Sequence, residues 1–298
     1  VEAFCAHLLA TRDRLDFIVN NACQTVRRPP AFYRHLMAGE AAALHTLAPA
    51  ARHVLGAYEG LLGERLLGAG LVGDAAPAAF AAPTTPTIAA DAVGLTHAAA
   101  VSQLALLDEA AADEAARAAL FPAGRLDEDA QQVDLRGRNS WRLQLDEVSS
   151  VELLEVQLVN AVAPFVLNAR LRELMRRTPG REKHIVNVSA MEGQFYRRFK
   201  TTRHPHTNMA KAALNMMTRT SAADYLRDGI HMNAVDTGWV TDEDPAELAA
   251  RKTREHRFHP PLDIVDGAAR IVDPIIDGVR TGRHVWGQFL KDYAPTDW

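Results

Sequence analysis

With 298 residues, 48% of them hydrophobic, the chain is long enough for one large α/β domain or two smaller ones and can bury a sizeable core. Its 33 Lys and Arg against 37 Asp and Glu leave a formal net charge of -4, too mild and too scattered for a nucleic-acid surface or an anionic-membrane binder, so small molecules or proteins are the expected partners. Only two cysteines occur, Cys5 and Cys23, which argues against a disulfide framework or thiolate metal site and fits a reducing cytoplasm. No run reads as a membrane span, and charges interrupt the opening residues too often for a signal peptide.

In chain order, Val1, Phe4, Cys5, Leu8 and Leu9 recur at helical spacing, and "RLDFIVNNA" follows as a buried strand ending in asparagines. A helix leading directly into a strand points to a parallel sheet. Residues 35–147 then read as an Ala/Pro-rich helical insertion. Its flanks are good helix formers, while its middle, "GDAAPAAFAAPTTPTIAADAVG", has the composition of a mobile linker. Within it, Gly68, Gly70 and Gly73 match G-x-G-x-x-G. A dinucleotide fingerprint needs a strand before it and a helix after it, whereas here a helical pattern precedes and a linker follows.

The next helix starts near Ser149, which has capping-box spacing to Glu152, and stops at Thr178, Pro179 and Gly180. "HIVNVSA" is a second buried strand, residues 207–227 a long helix, "IHMNAVDTGWV" a third strand and turn, and "RHVWGQFL" a last strand. Alternating helices and strands predict an α/β fold with a Rossmann-like, doubly wound parallel sheet, formed by residues 1–34 and 148–298.

Four stretches carry chemistry: "DFIVNNA" (16–22), "NVSA" (187–190), "AKAALNMMTRTSA" (210–222) and "GIHMNAVDTGWVTDE" (229–243). Together, and in this order, they resemble the short-chain dehydrogenase/reductase family, with Asn160 where that family keeps a helix asparagine. The resemblance covers residues 1 to about 30 and about 148 to 298. It implies an oxidoreductase that binds NAD or NADP and acts on a carbonyl or alcohol. Asn20, Asn21 and Ala22 would stand beside the adenosine half of the cofactor. Lys211 would bind the nicotinamide ribose, Asn160 a proton-relaying water, and Thr237, Gly238, Val240 and Thr241 the nicotinamide. Asp236 stands in place of the family's proline, and Cys23 in place of a glycine. Blander roles remain open: Asn20 and Asn21 suit a strand end, and Asn160 suits a satisfied core amide.

The family's tyrosine position holds Thr207, whose aliphatic hydroxyl is far less acidic than a phenol. Its serine position, counted back from Gly193, holds Ala190; Ser189 is one residue away and, by strand alternation, should aim elsewhere. The long loop before the 207–227 helix offers Tyr196, His204 and His206 as acids arriving from a new direction, with Tyr196 preferred. "HPH" has no evident third ligand, so no metal is expected. In this family the glycine-rich phosphate loop precedes the point where Val1 falls. The resemblance therefore implies either a piece of a longer protein or an open strand edge covered by the insertion or a partner. It leaves a homo-oligomer open, since helices like 151–177 and 207–227 form dimer faces in proteins this chain resembles. A rival reading is a catalytically lapsed nucleotide-binding or regulatory module on the same fold.

Overall fold

The computed structural model describes residues 1–40, 46–51, 102–104, 106–107, 114–127, 131–257 and 259–298. The Gly68–Gly73 pattern and the linker around it lie outside the described residues. The chain divides into two compact units, residues 1–27 with 134–298, and residues 28–133. The division differs from the one read from composition, because residues 134–147 are tied into the first unit. Arg27 N donates to Ser140 Oγ (2.8 Å), Arg136 Nη2 to the Arg27 carbonyl (2.9 Å) and Asn139 Nδ2 to the Glu243 carbonyl (2.8 Å).

In the first unit, helix α1 (Glu2–Thr11) leads into strand β1 (Phe17–Asn20). The second unit contributes short helices α2 (Pro30–Tyr33), α3 (Met37–Glu40) and α4 (Glu114–Leu120), with Phe32 edge-on to Phe121 at 5.9 Å. The first unit resumes with α5 (Ser150–Gln157), a π-turn at Leu158–Val162, and α6 (Ala163–Arg177). There follow β2 (Lys183–Ser189), α7 (Pro205–Arg227), β3 (Ile230–Asp236), α8 (Ala246–His256), α9 (Ile264–Thr281), β4 (Phe289–Lys291) and β5 (Ala294–Thr296).

The five strands form one sheet in the order β1-β2-β3-β4-β5, parallel except for β5. Every residue of β2 and β3 is buried, as expected of parallel strands covered on both faces. Cys5, Leu171, Met175, Ala222 and Tyr225 of α1, α6 and α7 pack with Ile18, Ile185 and Met232 on one face; Ile271 of α9 packs with Val186, Val188, Val235 and Leu290 on the other. β1 is the sheet edge among the described residues, and Phe17 (44%) and Val19 (42%) stay exposed on the α9 side.

Local differences from the sequence reading have physical causes. Ser149 Oγ accepts from Glu152 N (3.1 Å), but the capping box is half-built because the Glu152 carboxylate turns to His206, 3.4 Å away. The π-turn precedes Pro164, which lacks an N–H and would clash with the carbonyl four residues back in a regular helix. Ser150–Arg177 is in fact long and apolar enough to cross a membrane by length and composition, yet Leu171, Leu174 and Met175 on it are core residues. Helix α9 keeps a helical apolar period, with Ile264, Ala268, Ile271, Ile275 and Val279, through Gly267, Pro274 and Gly278. It starts on a reciprocal box in which Asp263 Oδ1 accepts from Asp266 N (2.9 Å) and Asp266 Oδ2 from Asp263 N (3.1 Å).

Candidate functional site

A cleft of about 670 Å³ opens at the C-terminal ends of β2 and β3, where parallel strands leave their loops free to hold a ligand. Lys211 enters it from α7. The residue is only 6% exposed, and its Nζ donates to the Val188 carbonyl at 2.9 Å, which anchors the ammonium at the strand end. Thr207 lies one turn earlier on α7 and also lines the cleft, as i and i+4 positions share a helix face. Its Oγ1 is buried without a hydrogen-bond partner, as are Ser189 Oγ and Asn208 Oδ1 beside it. Partnerless buried oxygens are costly in an ordinary core, and these three belong to residues that line the same cleft as Lys211.

The expectation that Ser189 aims away from the cleft is corrected. Both Ser189 and Ala190 line it: Ser189, the last residue of β2, alternates onto the same sheet face as Ile185 and Asn187, the face covered by α7, and Ala190 follows as the chain enters a 3-10 turn at Met191–Gly193. Tyr196 is corrected in the opposite sense. It is 87% exposed and borders a separate shallow pocket with Phe195, Met216 and Trp298, so the loop carries its phenol away from Lys211. His206 is buried against Glu152, outside the cleft lining. Burial pushes the Glu152 carboxyl up, but bonds to His206 and Ser140 outweigh it and leave the group below its usual range.

His204 does line the cleft. It caps α7 in the left-handed region (φ 41°), fixed by its N–H to the Leu143 carbonyl (2.8 Å), and its ring stacks on Trp141 at 3.8 Å. Burial holds the imidazole down at about 4, Glu192 raising it and His206 and Lys200 lowering it. Trp141 and Arg142, which composition assigned to the insertion, are thus part of the cleft wall. No sequence signal marks them, since they reach the site through contacts distant along the chain.

The Asn160 side chain is buried and bonded to the loop after β1. Its Oδ1 accepts from Gln24 N (2.7 Å) and its Nδ2 donates to the Gln24 carbonyl (2.9 Å), and it is not among the cleft-lining residues. It fixes the loop after β1, which brings Asn21, Cys23 and Thr25 into the lining. Asn20 points into the core: its Nδ2 donates to Asn187 Oδ1 (2.7 Å) and Asn168 Oδ1 (2.9 Å), while Asn187 Nδ2 donates to Thr218 Oγ1 (2.9 Å). Ala22 is exposed and outside the lining. Thr237, Gly238, Val240 and Thr241 form the wall after β3. Gly238 is required there, with φ 77° and only 2.4 Å from an added Cβ to Leu262 Cδ1. Asp236 is held by Lys291, its cross-strand neighbour on β4, at 2.9 Å; burial lowers the Lys291 pKa but the Asp236 bond more than offsets this and raises it.

Residues 86–260, more than half of the chain, match the family model described as enoyl-(acyl carrier protein) reductase, a branch of the short-chain dehydrogenases/reductases. The chain belongs to the short-chain dehydrogenase/reductase family. This short-chain dehydrogenase/reductase is 33% identical over 165 residues to uncharacterized protein R665 of Acanthamoeba polyphaga mimivirus, a match covering 53% of this chain and 34% of that protein. Among solved structures it is similar to an NADPH-bound carbonyl reductase from chicken fatty liver (20% identity, TM-score 0.38, 56% of this chain and 63% of that one). It is also similar to the carbonyl reductase Sniffer of D. melanogaster (21% identity, TM-score 0.40, 52% and 61%). The chain thus spans about a third of the curated relative and about three-fifths of these two solved proteins.

Proposed function

We propose that this protein binds NAD or NADP with the nicotinamide end in the Lys211 cleft and interconverts a small carbonyl compound and its alcohol. The observation that carries the reading is the buried Lys211 ammonium in a cleft that also holds the orphaned Ser189 and Thr207 hydroxyls. These residues fit the ribose and nicotinamide end. The fit at the pyrophosphate end rests on no described residue, since a glycine-rich strand-to-helix turn is absent among them.

Bound in the cleft, a reduced nicotinamide would supply a hydride. The chain's own residues have the proton and the orientation to provide. In this reading Ser189 and Thr207 donate hydrogen bonds to the substrate oxygen and hold it at the strand ends. A threonine hydroxyl does not ionise readily near neutral pH, so it serves as a relay. Thr207 passes its proton to the developing alkoxide and is reprotonated from solvent, since its Oγ1 makes no hydrogen bond to Lys211. Lys211 places positive charge beside the alkoxide. His204, held neutral, forms the wall with Trp141 and adds no charge.

Titrating the full chain with NADPH and NADH and assaying carbonyl reduction tests this. Binding and turnover are expected, with turnover falling on the order of 100-fold in Thr207→Val but staying close to wild type in Thr207→Ser, which keeps the hydroxyl. Lys211→Met should weaken both binding and turnover. The missing tyrosine at position 207 favours a second reading, a dinucleotide-binding module without turnover, and tight NADPH binding with no reduction of any carbonyl would support it.

A further inference from the structure

Far from the cleft, three imidazoles meet near the N-terminal ends of the strands, on the face covered by α9. His184 comes from β2, His231 from β3 and His284 from the segment between α9 and β4. One nitrogen of each lies within 4.8 Å of the others, and His184 Nε2 faces His284 Nδ1 at 3.0 Å. We propose that His184, His231 and His284 form a binding site for a divalent transition metal, zinc by its ligand chemistry, that pins the 282–288 segment to the sheet.

Four features support this. His231 Nδ1 lies 3.2 Å from the Lys183 carbonyl and donates to it, which fixes the tautomer and frees Nε2 for a metal, the arrangement usual for zinc-binding histidines. Gly278 of α9 makes the room: an added Cβ there would lie 2.5 Å from His284 Nδ1 and 3.1 Å from His184 Cε1. The segment bearing His284 is fixed on β3 immediately after the imidazole, with Asn233 Nδ2 donating to the Val285 carbonyl (2.8 Å) and Gly287 N to the Met232 carbonyl (2.8 Å). His184 and His231 are buried, while His284 is only half-buried and leaves an entry path.

The ligand set decides the ion. Three neutral imidazoles with no carboxylate or thiolate suit zinc, leaving a fourth position for water. The widest separation exceeds the roughly 3.4 Å expected between ligands of a tetrahedral ion bonded at about 2.0–2.1 Å. Side-chain rotation would have to bring the three nitrogens to that spacing around an ion. His184 is five residues from Ser189 along β2, about 17 Å at the rise of a strand, so the ion would act on the scaffold and not on the reacting atoms.

The test uses the full chain without a histidine tag, stripped with EDTA and titrated with cobalt(II), whose visible d–d bands report tetrahedral nitrogen and oxygen ligation. One equivalent should bind and be displaced by zinc, and zinc should raise the melting midpoint. In His284→Gln, chosen because that side chain is half-exposed, metal-free melting should match wild type. Affinity should fall by more than about 100-fold, beyond the cost of an outer-shell partner. His231→Gln should behave alike toward metal. Absence of stoichiometric binding by the wild type, or binding that survives His284→Gln, would overturn the proposal; binding of copper(II) without cobalt or zinc would overturn the assignment to zinc.

Discussion

Two residues show how much of the site is decided by single side chains. His204 has a folded pKa of about 4 against about 6.5 when unfolded, because burial disfavours its charged form. Between those values the unfolded chain binds the proton and the folded chain does not. Its contribution to stability is therefore fully present above pH 6.5 and lost as pH falls toward 4, by about 3 kcal/mol. Urea midpoints for wild type and His204→Asn, near pH 4 and above pH 7, should show the wild type losing more on acidification; asparagine tolerates the left-handed backbone there. Equal losses would contradict it. Asn187 is the hub of the buried amide network, and its removal orphans groups on Asn20, Asn168 and Thr218. Asn187→Ala should cost about 3 kcal/mol in chemical denaturation, several times a surface change. In the sequence Asn187 is one polar letter in a strand, and nothing there says it bonds to residues 148 positions apart from one another in the chain, Asn20 and Asn168.

At the scale of elements, periodicity made β1, β2, β3 and α7 legible, with boundaries within a few residues of "DFIVNN", "HIVNVSA", "IHMNAVD" and 207–227. The relation of Thr207 to Lys211 was legible too, because a four-residue spacing on a helix fixes a shared face. Tyr196 was misread because it lies in a loop, where no local period says which way a side chain turns; Ser189 ends β2 on the face covered by α7, which only the packing of α7 reveals. Gly193 shows what joins the elements. A Cβ there would lie 2.7 Å from the Lys211 carbonyl carbon and 2.8 Å from its oxygen, so α7 can sit against the strand-end turn only if this residue is glycine. Gly193→Ala should push α7 outward, lowering stability by about 2 kcal/mol and weakening NADPH binding by roughly 10-fold or more as Lys211 shifts. Denaturation and fluorescence titration of the same sample check both.

For the whole molecule, the ends of the 28–133 unit leave the first unit close together, since Arg136 hydrogen-bonds the Arg27 carbonyl at 2.9 Å. Chains that insert at adjacent points of a folded unit can be shortened there at small entropic cost. Replacing residues 29–132 by a short Gly/Ser linker should leave one cooperative unfolding transition with native α/β circular dichroism; a non-cooperative melt would show that the first unit depends on the second. The sequence by itself determined the parallel α/β class, the order of its elements and the helix that carries Lys211, because hydrophobic period and helical spacing are local and survive without neighbours. Only the tertiary structure decided that Trp141 and His204 wall the cleft while Tyr196 leaves it, and that His184, His231 and His284 converge. Those outcomes depend on contacts between residues far apart in the chain, where no local period constrains which way a side chain turns.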